Sequence, residues 1–125
     1  MSMTPATDHP QRPRTVLVTG AGGYIGTALV ERLLAAGCAV IGMDRYFFGL
    51  ELLADLSAHP RFTVLRRDIR ECEAADFGGV DAVCDLAALS NDPSGDLDPE
   101  LTRRINLEGR LRLAATARAA GVRRY

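Results

Sequence analysis

The run Thr19-Gly20-Ala21-Gly22-Gly23-Tyr24-Ile25-Gly26 constrains this chain more than any other feature. It follows a short apolar segment, Thr15 to Val18, that reads as a strand, and it opens a segment, Ile25 to Ala36, whose apolar residues recur at helical spacing. A strand that turns through glycines straight into a helix is the phosphate-cradling turn of a dinucleotide-binding unit. In that reading Gly20 permits the tight turn, Gly23 lets backbone approach a pyrophosphate, and Gly26 lets helix and strand pack closely. Tyr24 and Ile25 stand at the helix N-terminus, whose unpaired N–H groups and positive dipole end attract an anion without a lysine.

That last point matters because all 15 basic residues are arginine and the chain contains no lysine. The formal net charge of -1 gives no electrostatic reason to expect nucleic acid or an anionic membrane surface. No apolar run approaches the roughly 20 residues needed to span a bilayer. Residues 1–14 are polar, carry Pro5, Pro10 and Pro13, and read as a disordered leader without the hydrophobic core of a signal peptide, which places the protein in the cytoplasm. Cys38, Cys72 and Cys84 are an odd set without metal-ligand spacing and read as reduced, inert thiols. His9 and His59 receive no role, and no metal site is expected.

Along the chain, strands and helices alternate. Gly37 stops the first helix, and Cys38 to Met43 suits a buried parallel strand. Gly49 to Ala58 reads as a short helix, Arg61 to Arg66 as a third strand, and Val80 to Ala87 as a fourth, entered through Gly78-Gly79. Asn91 to Pro99 is a loop by composition. Glu100 to Ala120 reads as one long helix stopped by Gly121, and Val122 as the start of a fifth strand that is cut short at Tyr125. Glu51, Asp55, Arg103, Arg104 and Arg110 read as solvated helix faces. This order predicts an α/β fold, a doubly wound parallel sheet of Rossmann type with helices on both faces, occupying residues 15–125.

Asp44 lies at the end of the second strand, about 20 residues past the glycines, where a carboxylate can accept hydrogen bonds from both ribose hydroxyls of an adenosine. Its charge favours NAD over NADP, whose 2′-phosphate it would repel, although the adjacent Arg45 partly offsets that repulsion.

With the glycine turn and Asp44 stand Arg67-Asp68-Ile69-Arg70 after the third strand, Asp85-Leu86-Ala87-Ala88 after the fourth, and Asn106-Leu107-Glu108-Gly109 in the long helix. Together these five ordered segments resemble the N-terminal portion of the extended short-chain dehydrogenases/reductases, the NAD-dependent epimerase/dehydratase family that acts largely on nucleotide sugars. The resemblance implies that Asp68 and Ile69 contact adenine. It implies that Leu86, Ala87 and Ala88 pass under the pyrophosphate and nicotinamide ribose, and that Asn106 braces the site near the cofactor. Ser90 and Asn91 resemble residues of a loop between cofactor and sugar substrate, although an Asx turn explains Asn91 equally well. The family usually has His where this chain has Asp85, and a buried carboxylate there needs a partner.

The resemblance also implies a Ser or Thr after the fifth strand and a Y-x-x-x-K pair as acid/base, neither of which these residues supply; Tyr125 falls where the fifth strand begins. No catalytic residue is assigned. The chain therefore reads as the NAD-binding portion of a nucleotide-sugar epimerase, dehydratase or reductase. The alternative is a complete small NAD-binding or partner-docking module. In either case the fourth strand leaves an open edge, to be covered by a homodimer or another partner. An S-adenosylmethionine-dependent methyltransferase uses a similar turn and acidic residue, but Asp68-Ile69 and Asn106 count against it.

Overall fold

The computed structural model describes residues 13–47, 49–87 and 98–125, the side chains of residues 104 and 105 excepted. Four strands, β1 (Thr15–Thr19), β2 (Ala39–Asp44), β3 (Phe62–Arg66) and β4 (Ala82–Asp85), form one parallel sheet in the order β3-β2-β1-β4. Helix α1 (Tyr24–Ala35) connects β1 to β2, and the chain after β4 returns through a helical run from Pro99 to Ala119.

The side-chain alternation of β1 explains why both faces are covered. Val16 and Val18 point into a core with Val30 and Leu34 of α1, Val40, Leu53 and Phe62. Leu17 points the other way, into a second core with Met43, Ile69, Phe77, Val83 and Leu113 of the C-terminal helix. A strand buried on both faces must be apolar throughout, and Val16, Leu17 and Val18 form the continuous apolar run that a central parallel strand requires. On α1 the buried residues Gly26, Val30 and Leu34 recur every four residues, which gives the helix one inward stripe. The expected doubly wound sheet with helices on both faces is present.

Several boundaries differ from expectation. Only Glu51–Leu53 of the segment 49–58 forms a helix, one 3-10 turn that anchors the buried Leu53, and turns follow it. Strand β4 stops at Asp85, because Leu86 and Ala87 bend to bond their N–H groups to Thr19 of β1. The long helix has three parts: α2 (Pro99–Arg103), a π-helical segment (Arg104–Gly109) and α3 (Arg110–Ala119). It starts at Asp98, whose carboxylate accepts from the Leu101 N–H, with Pro99 in the first turn, where its missing N–H costs nothing. The fifth strand begins as a parallel bridge between Ala82 and Arg124, closed by the Val83 N–H donating to the Arg124 carbonyl.

At the amino ends of the strands, Asp81 ties the sheet together by accepting from the Arg14 and Thr15 N–H groups. Those two bonds hold its carboxyl below the usual range. The leader expected over residues 1–14 falls, apart from residues 13 and 14, outside the described residues, as does most of the loop from Asn91 to Pro99. Among the described residues, no helix is long and apolar enough to cross a membrane.

Candidate functional site

The strand register brings Thr19, Met43 and Asp85 to one level, with Asp44 beside Arg66. A cavity of about 590 Å³ lies over these carboxyl ends. Here the chain leaves β1 toward β2 on one side while β4 lies on the other, the switch point where open α/β sheets bind ligands.

The glycine turn forms its centre. Gly20 has φ +67, and a Cβ there would lie 2.8 Å from the Leu86 backbone, so the turn is pressed against the segment leaving β4. A Cβ on Gly26 would fall 2.1 Å from the Gly20 carbonyl oxygen, so this glycine packs helix against turn. Gly23 differs: its added Cβ meets only the Gly20 oxygen at 3.3 Å, and the residue is exposed on the cavity wall. It is also the N-cap of α1, and no side chain caps it; the first turn holds no acidic residue. Tyr24 and Ile25, both exposed, continue this wall. The N-terminus of a twelve-residue helix thus opens on the cavity without a capping group.

On the β2 side, both Asp44 oxygens are held. Oδ2 accepts from the Gly22 N–H and Oδ1 from the Tyr46 N–H, each at 2.9 Å. Tyr46, left without a role by sequence reasoning, is buried with φ +56 and donates its hydroxyl to the Gly42 carbonyl at 2.6 Å. Burial, reinforced by the Asp44 charge and opposed by Arg66, pushes its phenol well above the usual tyrosine range.

Beyond β3, Asp68 is buried and Ile69 packs in the core beneath it. Arg70 binds the Asp68 carboxylate through its backbone and guanidinium, and Arg45 Nη1 approaches to 3.5 Å while stacking on Phe47. Burial alone would raise the Asp68 pKa; the Arg70 hydrogen bonds and the two arginine charges outweigh it and hold the carboxyl below its ordinary value.

On the β4 side, Asp85 has the partners a buried carboxylate needs. Thr19 Oγ1 donates to Oδ1 at 2.6 Å, the Tyr125 hydroxyl donates to Oδ2 at 2.9 Å, and Arg110 Nε lies 3.5 Å from Oδ2. Thr19 Oγ1 accepts in turn from the Leu86 and Ala87 N–H groups, at 3.0 and 3.1 Å. Burial, with the Asp85 hydrogen bond and charge, raises the Tyr125 phenol.

Gly20, Gly23, Tyr24, Ile25, Gly26, Asp44, Arg45, Asp68, Ile69, Leu86 and Ala87 thus all line one cavity. Asn106 lies on the π-helical segment, outside that lining, and Ala88, Ser90 and Asn91 fall outside the described residues. No metal-ligating cluster occurs among the described residues, and their three cysteines are free.

Residues 16–125 match the NAD dependent epimerase/dehydratase family. The chain belongs to this family. It is 37% identical over 115 residues to the UDP-glucose 4-epimerase of Mycolicibacterium smegmatis, covering 86% of the chain and 36% of that enzyme. It is 34% identical over 116 residues to a 3-beta-hydroxysteroid dehydrogenase of Mycolicibacterium neoaurum, covering 88% and 30%. Among solved structures, the dTDP-glucose 4,6-dehydratase DesIV of Streptomyces venezuelae, with NAD bound, superposes with a TM-score of 0.78 at 32% identity, covering 86% of this chain and 37% of that one. The chain thus spans about a third of the length of these relatives.

As a member of the NAD dependent epimerase/dehydratase family, the chain carries cavity residues that the motif alone did not reveal. Arg110 was expected on a solvated helix face. It instead lines the cavity, with Nε buried 3.5 Å from Asp85 and lacking a hydrogen bond among the described residues. Arg67 also lines the cavity and pairs with Asp76 at 3.0 Å, whereas Glu51, Asp55 and Arg103 are exposed as expected.

Proposed function

We propose that this chain is the NAD-binding portion of a nucleotide-sugar epimerase, dehydratase or reductase. One observation carries the reading: an uncapped helix N-terminus and an exposed glycine backbone face the same cavity as the carboxylate of Asp44. The first pair suits a pyrophosphate and the second a ribose diol. The cradle fits the dinucleotide, because side chains at positions 20 and 26 would collide with backbone, and the backbone of Gly23 is exposed on the cavity wall with only the Gly20 oxygen, at 3.3 Å, near its Cβ position.

In this role the α1 N-terminus binds the pyrophosphate, Asp44 orients the adenosine ribose, and Asp68 with Ile69 flanks the adenine. The Leu86-Ala87 backbone, pinned by Thr19, supports the nicotinamide half. NAD supplies the hydride acceptor when bound. With no lysine, these 125 residues bind and orient and do not supply the Tyr-Lys acid/base pair. Arg45 stacks on Phe47 and lies 3.5 Å from Asp68, whose charge offsets its own, which leaves the Asp44 charge to disfavour a 2′-phosphate. The M. smegmatis epimerase and the DesIV dehydratase support a nucleotide sugar as the substrate of the whole enzyme.

Isothermal titration with NAD, ADP-ribose, NADP and S-adenosylmethionine tests this reading. NAD and ADP-ribose should bind, NADP at least about tenfold more weakly, an effect of roughly 1.4 kcal/mol. Tighter binding of S-adenosylmethionine, or no binding of ADP-ribose, would reject it.

A further inference from the structure

Arg110 is a cation whose hydrogen-bonding capacity is unspent. A guanidinium carries five N–H donors in a fixed fork. Arg110 Nε is buried without a hydrogen-bond partner among the described residues, and it lies 3.5 Å from Asp85 Oδ2. Asp85 does not depend on it, since Thr19 and Tyr125 already donate to its two oxygens at 2.6 and 2.9 Å. Arg67 Nε is likewise without a partner among the described residues, but the Arg67 guanidinium is anchored through Nη2 on Asp76 at 3.0 Å, whereas the Arg110 ion pair stays at 3.5 Å. The Arg110 side chain as a whole is 43% exposed, and the residue lines the cavity.

The placement is specific. Asp44 and Asp68 stand at the ends of β2 and β3, whereas Arg110 stands beside the end of β4, on the far side of β1. Neighbouring strands lie about 4.8 Å apart, so two spacings put Arg110 roughly 10 Å from the β2 end and three put it roughly 14 Å from the β3 end. A ligand whose adenosine is held at Asp44 reaches Arg110 only with the part beyond its first phosphate.

We infer that Arg110 is an anion receptor in this cavity, with Asp85 as its tether, and that it takes a phosphate oxyanion distal to the adenosine. The inference rests on the dinucleotide reading above. Two sources share this chemistry: the second phosphate of the dinucleotide and the diphosphate of a second, nucleotide-linked ligand. Asp85 aims the guanidinium and lowers its net charge; Arg110 supplies the forked donors.

The test is calorimetric titration of the full chain and two variants with AMP, ADP-ribose and UDP. Arg110→Met should weaken ADP-ribose about tenfold and leave AMP within twofold. Asp85→Asn keeps one acceptor oxygen, for Thr19, and turns an NH2 toward the Tyr125 hydroxyl, which rotates to accept from it; the opposing charge is removed, so the variant should tighten the same ligand two- to fivefold. Opposite signs are the signature, because a merely structural pair would weaken binding in both variants. If the Arg110→Met loss and Asp85→Asn gain fall on UDP alone, the oxyanion belongs to the second ligand and the receptor role stands. Equal affinities in all three proteins, or losses in both variants, would overturn it. AMP binding by the unaltered chain keeps the two readings separate: if it is retained while Arg110→Met changes nothing, only the receptor role fails.

Discussion

The Gly22 N–H donates to Asp44 Oδ2 at 2.9 Å, and the ring of Tyr46 occupies the space beside that bond. A Cβ on Gly22 would lie 2.9 Å from Tyr46 Cδ1 and 3.2 Å from Asp44 Oδ2. Gly22 is therefore required by the β2 corner. Gly22→Ala should cost about 1–3 kcal/mol as the ring shifts, and should weaken NAD because Asp44 moves with it. Gly37, at φ +93 with nothing near its Cβ position, isolates the backbone cost: Gly37→Ala should lower thermal stability without changing NAD affinity. Melting curves and titration of both variants check the contrast.

The glycine spacing and the continuous apolar run of β1 made the sheet, α1 and the Asp44 corner legible, because they are local consequences of backbone freedom and of burial on two faces. Tyr46 and Arg110 were not legible, because their roles depend on register. Only the placement of Asp44 against Gly22 and of Asp85 against Thr19 brings them into the cavity. The segment 49–58 misled because Leu50, Leu53 and Leu56 have helical spacing, yet one 3-10 turn suffices to bury Leu53.

Asp68 should confer a defined acid sensitivity. Its folded pKa lies below the unfolded value of about 3.9, so its contribution is complete above that value and is lost as pH falls through the folded one. Asp68→Asn should destabilise the chain by about 2 kcal/mol at pH 7, and the gap from the unaltered chain should narrow below about pH 4. Asp81, also depressed, keeps some acid sensitivity in the variant. Denaturant midpoints at pH 7, 5 and 3 check this; a gap independent of pH would refute it.

Tyr46 acts at the other end of the scale. Its phenol is raised in the folded state, so its contribution is complete below about pH 10 and declines above it, where the unfolded chain ionises first. Tyr46→Phe loses the bond to the Gly42 carbonyl, costing about 1 kcal/mol at pH 7, but should flatten the decline between pH 9 and 11. Tyr125→Phe should flatten it further, since that phenol is raised by burial and then by the Asp85 hydrogen bond and charge. Alkaline melting curves of the two variants and the double variant check both assignments.

Thr19 links β1 to the segment after β4 through one fully buried hydroxyl, which donates to Asp85 and accepts from Leu86 and Ala87. Thr19→Val keeps the shape and removes the oxygen. It leaves the Ala87 N–H without this acceptor and Asp85 short of one donor, at a cost of about 1–3 kcal/mol. Thr19→Ser keeps the oxygen and loses one methyl, at about 1 kcal/mol. Ligand binding should separate them further, because the Leu86-Ala87 backbone stays pinned in the serine variant and is released in the valine variant. Thr19→Ser should bind ADP-ribose within about threefold of the unaltered chain and Thr19→Val at least about tenfold more weakly, with adenosine affected equally little in both. Equal losses in the two variants would mean that the methyl packing of Thr19, and not its hydroxyl, positions this side of the cavity.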